Sequence, residues 1–387
     1  MSLHRTLPRL LSCVLLLAAA ACGARSREPI FIGLAGPLSA GNGESMKRAA
    51  EMAVEEINAR GGVNGRKLQL LEVDDEANPE KAIGIARDLR GDARVVAVIG
   101  HVNSAVSVKA APVYNLARGA ADSIAGDPVL QISPASSAPS LSAAGPWTFR
   151  VCPTDLEFSP ALAAWARGLG RSRAALVYAN DDYGRGVATT FHSSFRGAGG
   201  AVVSSDPYLP EQLRADPAAL DAYLTRAMRR SADALVIGGQ AEAGLAIIRA
   251  ARRLGYTGPI LGADGLTNVK DGGEIAEGVF VSSAFLPDRD EAAARAFVEA
   301  YRGRYQKLPD HRGAMTYDIV YLLRRAIEET RSTDRERLRD YVAGIGTESE
   351  AFNGVSGRIA FDENGDVVQK PIAVGVVRGG ELVTATR

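Results

Sequence analysis

The strongest constraint on the fold is a regular alternation between short apolar runs, rich in β-branched residues, and longer segments with helical periodicity. The apolar runs occupy positions 30–35, 68–73, 95–100, 129–133, 174–178, 234–238, 260–263 and 279–282. Because these runs are continuously apolar, we expect strands that are covered on both faces. The strand–helix rhythm predicts parallel pairing, so the fold class is α/β.

The segments between and after these runs predict helices. Apolar residues recur at helical steps between positions 46 and 57, and Gly61-Gly62 closes that helix. After position 282 the strand rhythm lapses, and three helices are expected at 288–306, 313–330 and 334–343 before a closing hairpin pattern. Such a late helical block suggests that the chain returns to its first domain. The Ala- and Arg-rich segment 209–230 is interpreted as a solvated amphipathic helix.

The first 21 residues have the pattern of a signal peptide. Arg5 and Arg9 precede an apolar run at 10–21 that is shorter than the roughly 20 residues needed to span a membrane. The ending Ala-Ala-Ala-Cys22 resembles a bacterial lipobox, which implies that Cys22 is lipidated and that residues 22–28 form a tether. Plain cleavage near Ala21, with Cys22 left free, is the alternative. Either outcome places the mature chain in the periplasm or cell envelope.

Composition and motif content argue against several protein classes. Lys and Arg number 45 against 45 Asp and Glu, so the basic excess typical of nucleic-acid-binding proteins is missing. The four His residues lack metal-ligand spacing, and the nucleotide-loop and serine-nucleophile motifs are not found. We therefore expect no metal, no cofactor and no enzymatic activity. The adjacent carboxylates at 74–75 and 181–182 are interpreted as solvated loop ends, and Cys152 as a packed core residue.

An ordered set of short motifs carries a family resemblance. The motifs are Phe31-Ile-Gly-Leu-Ala-Gly-Pro37, Ile57-Asn-Ala-Arg-Gly-Gly-Val-Asn-Gly65, Val98-Ile-Gly-His-Val-Asn-Ser104, Ile132-Ser-Pro134, Tyr183-Gly184, Gly255-Tyr256 and Phe352-Asn-Gly-Val-Ser-Gly-Arg-Ile-Ala-Phe-Asp-Glu-Asn-Gly-Asp366. From about position 30 to 374 the chain resembles the leucine/isoleucine/valine-binding proteins. The resemblance implies a type I periplasmic binding protein, with two doubly wound parallel-sheet lobes joined by three hinge crossovers. The expected lobes are 29–154 plus 287–356, and 155–286 plus 357–387.

The resemblance also implies which residues hold a ligand. Ser104 matches the serine that binds the ligand carboxylate, at a predicted helix N-terminus that favours anions; its alternative role is a simple N-cap. Ala135 and Ser137 match backbone and hydroxyl contacts of the next loop. Asp264 matches the acidic residue that holds the ligand ammonium, with an Asp-Gly turn as the alternative. Tyr183 matches an aromatic residue that closes over the ligand, and its alternative role is packing within its own loop.

The chain departs from the family pattern at several positions. Two aromatic residues that contact the ligand side chain are replaced by Asn42 and Gln240, which suggests a polar, amide-bearing or larger amino acid as ligand. A disulfide found in several relatives corresponds to Ala77 and Asn103 here. The segment 118–127 resembles an insertion whose role the sequence does not indicate.

These expectations converge on a binding protein. The leading hypothesis is a monomeric, lipid-anchored substrate-binding component of an ABC importer, which captures an amino acid and delivers it to membrane permeases. A ligand-sensing receptor or regulator of the same fold, reading amino acids or small amides, is the alternative. An enzyme on the same scaffold is the third hypothesis, because fold alone does not determine function.

Overall fold

A computed structural model describes residues 28–119, 125–216 and 218–386, without the side chains of Arg214 and Ala215. The predicted signal peptide, Cys22, almost all of the predicted tether and positions 120–124 of the segment 118–127 lie outside the described residues. The described chain forms two α/β lobes, each built on its own sheet.

The first sheet is entirely parallel and has the order β2–β1–β3–β4–β5. Its strands are β1 (Ile30–Gly36), β2 (Leu68–Asp74), β3 (Val95–Gly100), β4 (Leu130–Ser133) and β5 (Thr148–Arg150). The second sheet has the order β14–β13–β10–β9–β8–β6–β7. Its strands are β6 (Arg173–Ala179), β7 (Ala201–Tyr208), β8 (Ala234–Gly238), β9 (Ile260–Gly262), β10 (Phe280–Ser283), β13 (Ala373–Arg378) and β14 (Glu381–Thr384).

The parallel part of the second sheet repeats the topology of the first. Read from the β7 edge, its order β7–β6–β8–β9–β10 matches β2–β1–β3–β4–β5, and an antiparallel pair, β13 and β14, extends the other edge. All eight apolar runs predicted as strands are strands, which confirms the α/β prediction. Among the ten parallel strands, two went unpredicted: β5 has only three residues, and β7 carries the polar sequence Ser-Ser-Asp-Pro within it.

Helices follow most strands and cover both faces of each sheet. They are α1 (Gly41–Ala59), α2 (Pro79–Gly91), α3 (Ser104–Asn115), α4 (Asp155–Gly168), α5 (Asp182–Gly197), α6 (Pro210–Ala215), α7 (Ala219–Arg229), α8 (Ala241–Arg253), α9 (Ala292–Tyr305), α10 (His311–Thr330) and α11 (Arg335–Ala343). Two 3₁₀ segments span Pro139–Ala143 and Asp264–Ala276. The segment predicted as one helix at 209–230 is therefore two, α6 and α7.

The late helices pack on the first lobe. Met315, Ile319 and Leu323 of α10 belong to the same buried cluster as Ile32 of β1 and Ile99 of β3. Burying each such side chain contributes about 1.5–3 kcal/mol, so this return of the chain is a large part of the first core.

The closing hairpin moves one predicted lobe boundary. Strands β11 (Phe352–Gly354) and β12 (Gly357–Ile359) pair with each other, so a boundary between positions 356 and 357 would divide a hairpin. Phe361 packs edge-on against Phe149 of the first core, with 5.2 Å between ring centroids. The backbone N–H of Arg150 donates to the carbonyl of Gly365. The chain therefore stays with the first lobe through this motif and enters the second sheet at β13.

Candidate functional site

The candidate site lies between the lobes, where loops leave the carboxyl ends of the parallel strands. In doubly wound sheets, ligands bind where neighbouring connections go to opposite faces, here beside β1 and β3 in one lobe and β6 and β8 in the other. A small cavity at this place is lined by Val102, Ser104, Ala135, Tyr183, Gln240, Asp264, Gly265 and Arg312. Five of the seven ligand-binding residues predicted from the sequence line this cavity.

The first lobe offers neutral groups at the start of α3. Asn103 is the N-cap residue of this helix, but its side chain makes no capping hydrogen bond. The interpretation of Ser104 as the N-cap is therefore wrong, because Ser104 is the first helical residue. Its hydroxyl oxygen accepts the N–H of Ala138 at 3.2 Å and is buried in the cavity wall. Free N–H groups at a helix N-terminus, together with a hydroxyl, favour a carboxylate.

The neighbouring loop after β4 is held rigidly by buried polar groups. The Ser133 hydroxyl donates to the carbonyl of His101 at 2.6 Å and accepts the N–H groups of Ala135 and Ser136. Arg150, only 1% exposed, donates to the carbonyls of Ser136 and Ala138 at 3.0 and 2.7 Å. Since its N–H is already engaged, Ala135 can offer a ligand its carbonyl oxygen, which no described donor reaches.

The second lobe offers a carboxylate and a phenol. The Tyr183 hydroxyl donates to Oδ1 of Asp264 at 3.0 Å and accepts the N–H of Gly265 at 2.7 Å. Tyr183 therefore bridges from α5 to the loop after β9, beyond its own loop. Burial raises the pKa of Asp264 to about 6, although the charge of Arg312 and the Tyr183 hydrogen bond act in the opposite direction. Asp264 begins the 3₁₀ segment with its side chain in the cavity wall, so its role is not limited to an Asp-Gly turn.

Asp155, a residue that the sequence analysis missed, adds a second buried carboxylate. It is fully buried at the first position of α4, and neither carboxylate oxygen has a hydrogen-bond partner of good geometry among the described residues. Burial raises the pKa of Asp155 well above its usual value, and the charge of Asp264 raises it further. Ser137 and Arg150 act in the opposite direction. The sequence signal was the capping box of Thr154 and Glu157, which marks where this helix begins.

The buried arginines near these two carboxylates form their closest ion pairs with other carboxylates. Arg312 is paired with Asp310 at 2.9 Å, and Arg150 with Asp366 at 2.5 Å. His311 approaches Asp264 at 3.6 Å, but burial lowers the pKa of His311 to about 3, so its ring is neutral. Asp264 keeps its hydrogen bond from Tyr183, but among the described residues neither carboxylate has a cation of its own. Because a buried carboxylate without a cation is costly, the site is complementary to a ligand that brings one.

Two predicted site residues lie outside the cavity lining. Asn42 is half-buried in the first turn of α1, whose Gly41 carbonyl accepts a hydrogen bond from the Asn268 side chain at 3.2 Å. That contact holds the turn against the rim of the second lobe. Ser137 is buried beside Asp155, and its carbonyl accepts the Asp155 N–H at 2.9 Å.

The interpretation of the paired carboxylates as solvated loop ends is wrong for Asp75, whereas Asp74, Asp181 and Asp182 are partly exposed. Asp75 is fully buried, with its Oδ2 2.7 Å from Nδ1 of His101. The His101 carbonyl in turn accepts hydrogen bonds from three serine hydroxyls, at positions 107, 133 and 136. Asp181 caps α5 by accepting the N–H of Gly184 at 2.8 Å. Both residues therefore organise the loops that carry the site.

The remaining features of the described chain are its cysteine, its potential metal ligands and the apolarity of its helices. Cys152 is a free, buried core residue, and burial raises the pKa of its thiol. Within the described ranges, no cluster of three or more His, Cys, Asp or Glu side chains is arranged to hold a metal ion. None of the helices in those ranges combines the length and apolarity needed to cross a membrane.

Comparison with known proteins identifies the family. The periplasmic binding protein family model matches residues 29–381. The Leu/Ile/Val-binding protein of Escherichia coli strain K12 is 27% identical over 351 residues, covering 88% of each chain. An ABC transporter substrate-binding protein from Desulfitobacterium hafniense, solved in complex with Leu, is 30% identical with a TM-score of 0.78, covering 92% of this chain and all of that one. The leucine-binding protein LivK from Thermotoga maritima is 29% identical with a TM-score of 0.81, covering 92% of this chain and 98% of that one. With its two doubly wound lobes and interlobe cavity, the chain belongs to the periplasmic binding protein family.

Proposed function

We propose that this chain is the extracytoplasmic substrate-binding component of an ABC importer, which captures an amino acid between its lobes and delivers it to membrane permease subunits. The observation that carries the proposal is a pair of buried carboxylates: Asp264 lines the interlobe cavity together with the Ser104 hydroxyl at the start of α3, and Asp155 is buried close enough for its pKa to be raised by the charge of Asp264. A zwitterionic amino acid supplies the cation that this pair lacks and the anion that the helix N-terminus favours. Relatives named for leucine, isoleucine and valine support the same ligand class.

Closure of the lobes supplies the rest of the mechanism. In this structure Thr267 of the second lobe hydrogen bonds to His311 of the first at 3.1 Å, and Asn268 donates to Gly41. The cleft is therefore closed, and a ligand that contacts Ser104 and Asp264 together stabilises this state over the open one. The permease then recognises the closed form, and the ligand is released when the lobes reopen. No covalent step is involved.

The experiment is a calorimetric ligand screen of the mature domain, after unfolding and refolding to remove carried ligand. We expect an L-amino acid to bind, and its analogue without the amino group to bind at least about 100-fold more weakly, since that analogue leaves the carboxylates unpaired. Equal binding of the deaminated analogue would contradict the proposal. Deleting the gene should also abolish cellular uptake of the amino acid that binds; unchanged uptake would contradict the transport role.

The location proposed for the protein is the cell envelope, with Cys22 as a lipidated N-terminus and the lobes working as a monomer. Cys22 lies outside the described residues, so the lipobox pattern is what supports this proposal. In a Cys22→Ala variant, the protein should move from the membrane fraction to the soluble envelope fraction. Retention in the membrane fraction would contradict lipid anchoring.

A further inference from the structure

A second cavity adjoins the amino-acid site. It has a volume of about 440 Å³, against about 10 Å³ for the closed cavity beside Asp264, which is room for roughly one water molecule. Gln240 lines both cavities, and Asn103 of the larger cavity is the neighbour of Ser104. The two cavities are therefore neighbours on either side of Gln240.

About half of the wall of the larger cavity is apolar, and most of that half is made of small side chains. Ala179, Leu213, Ala243 and Ala246 come from the second lobe, and Ala77 closes the first-lobe side. Such a slot suits an aliphatic stem or an aromatic ring.

Two buried polar atoms face this space without a partner. Tyr208, at the end of β7, is 5% exposed, and its hydroxyl has no hydrogen-bond partner among the described residues. Oδ1 of Asn103 is buried and also has none. The Tyr208 hydroxyl lies directly against Gly239, where a Cβ would come within 2.0 Å of it, so only glycine leaves that hydroxyl its place beside Gln240. Unpaired buried dipoles are costly unless a ligand completes them.

The geometry points to the larger cavity as a side-chain subsite for an L-amino acid whose side chain is longer than that of leucine and ends in a neutral hydroxyl or amide. This inference rests on the proposed function, because the amino-acid head group must occupy Ser104 and Asp264. The stem packs on the alanine walls, and the terminal group hydrogen bonds to Tyr208, Asn103 or Gln240. Asp181, Glu242 and Arg249 also line this cavity, so the ligands tested include one with a charged side chain.

Calorimetry with L-tyrosine, L-glutamine, L-lysine, L-leucine and L-valine tests this subsite. We expect L-tyrosine or L-glutamine to bind at least about tenfold more tightly than L-leucine, because of the extra buried surface and hydrogen bonds. L-Leucine binding as tightly as both, or L-lysine binding tightest, would overturn the subsite. If no amino acid binds, the proposed function itself fails, whereas binding of L-leucine and L-valine without a gain for longer side chains overturns only the subsite.

Two variants test whether the tighter binding of long side chains arises in this cavity. Ala246→Trp fills the cavity and should weaken the preferred long ligand by about tenfold while leaving L-valine, which does not reach it, within about twofold. Tyr208→Phe keeps the ring and removes only the hydroxyl, so it tests the polar end even if Ala246→Trp does not fold. Tyr208→Phe should weaken the long ligand several-fold and spare L-valine. Equal effects on both ligands in these variants, or no effect in either variant, would overturn the inference.

Discussion

The first lobe orders its parallel strands as β2–β1–β3–β4–β5, and the second lobe repeats that order as β7–β6–β8–β9–β10, yet the two present different groups to the cleft. The first lobe contributes the Ser104 hydroxyl and the N-terminus of α3, together with Arg312, a cation that is paired with Asp310. The second contributes Asp264 and Tyr183. Asp155, a second carboxylate, is buried where the chain crosses between the lobes. A shared topology thus fixes where the site forms, and individual loop residues fix which half of a zwitterion each lobe holds.

Removing the charge of the second lobe should have the largest effect on binding. Asp264→Asn leaves the ligand ammonium without its buried partner, so we expect affinity to fall by about 3–5 kcal/mol, a factor of at least about 100. Asp271→Asn is a matched control, because Asp271 lies on the same 3₁₀ segment but is exposed and paired with Lys270. Unchanged affinity in Asp264→Asn would break the assignment of the ammonium to the second lobe.

The same substitution should stabilise the ligand-free protein. Burial raises the folded-state pKa of Asp264 to about 6, above its ordinary 3.8, so the folded state binds more protons than the unfolded state between those values. Wild-type stability from this group is therefore present below about pH 4 and lost as pH rises through about 6. Relative to wild type, Asp264→Asn should gain up to about 3 kcal/mol between pH 4 and pH 7. Chemical denaturation at pH 4 and pH 7 measures the free energy of unfolding of both proteins. A difference between them that is the same at both pH values would contradict the burial argument.

On the first lobe, Ser104→Ala tests whether the Ser104 hydroxyl binds the carboxylate of the ligand. A hydroxyl that hydrogen bonds to a carboxylate contributes about 1.5–3 kcal/mol, so affinity should fall by that amount in calorimetry. The variant also loses the hydrogen bond to the N–H of Ala138, and a small drop in melting temperature is expected. A drop in melting temperature with full affinity would show a purely structural serine.

Gly186→Ala tests how closely the lobes approach. A Cβ at this position of α5 would lie 2.3 Å from Oδ2 of Asp155 and 3.2 Å from Cδ of Pro139 on the first lobe. Overpacking there should oppose closure and weaken binding by about 1–3 kcal/mol. Gly197→Ala, on the same helix with open space around it, is the control and should bind normally. If both variants bind alike, contact at Gly186 does not limit closure.

The smallest expected effect is the pH dependence of affinity. Because the ammonium binds the ionised form of Asp264, affinity should fall about tenfold from pH 7 to pH 5 as this carboxylate is protonated. This trend is opposite in sign to that of the ligand-free stability. Titration calorimetry at both pH values measures it, with Asp264→Asn as the reference that lacks the dependence. A flat profile in the wild type would argue against an ionised Asp264 as the partner of the ligand.

Sequence predicted the features that depend on local pattern. Eight strands were visible as continuous apolar runs. Ser104 and Tyr183 were proposed because they lie in family motifs that follow strands, and Asp264 because it matches the acidic residue of the family at a strand end. Arg312 was missed because it reaches the cavity through tertiary packing, on the returning helix α10. Asp155 was missed because its burial near Asp264 depends on the crossing between the lobes. Asn42 was misplaced because its loop becomes the first turn of α1 and docks on the rim.

The division of the zwitterion between the lobes is tested most directly by a cycle of variants and ligand analogues. The amino acid that binds, its amide lacking the carboxylate charge and its analogue lacking the amino group are each titrated into wild type, Ser104→Ala and Asp264→Asn. We predict that Ser104→Ala costs affinity for ligands that carry the carboxylate but little for the amide. Asp264→Asn should cost affinity for ligands that carry the amino group but little for the deaminated analogue. Equal losses of all three ligands in either variant would contradict the account.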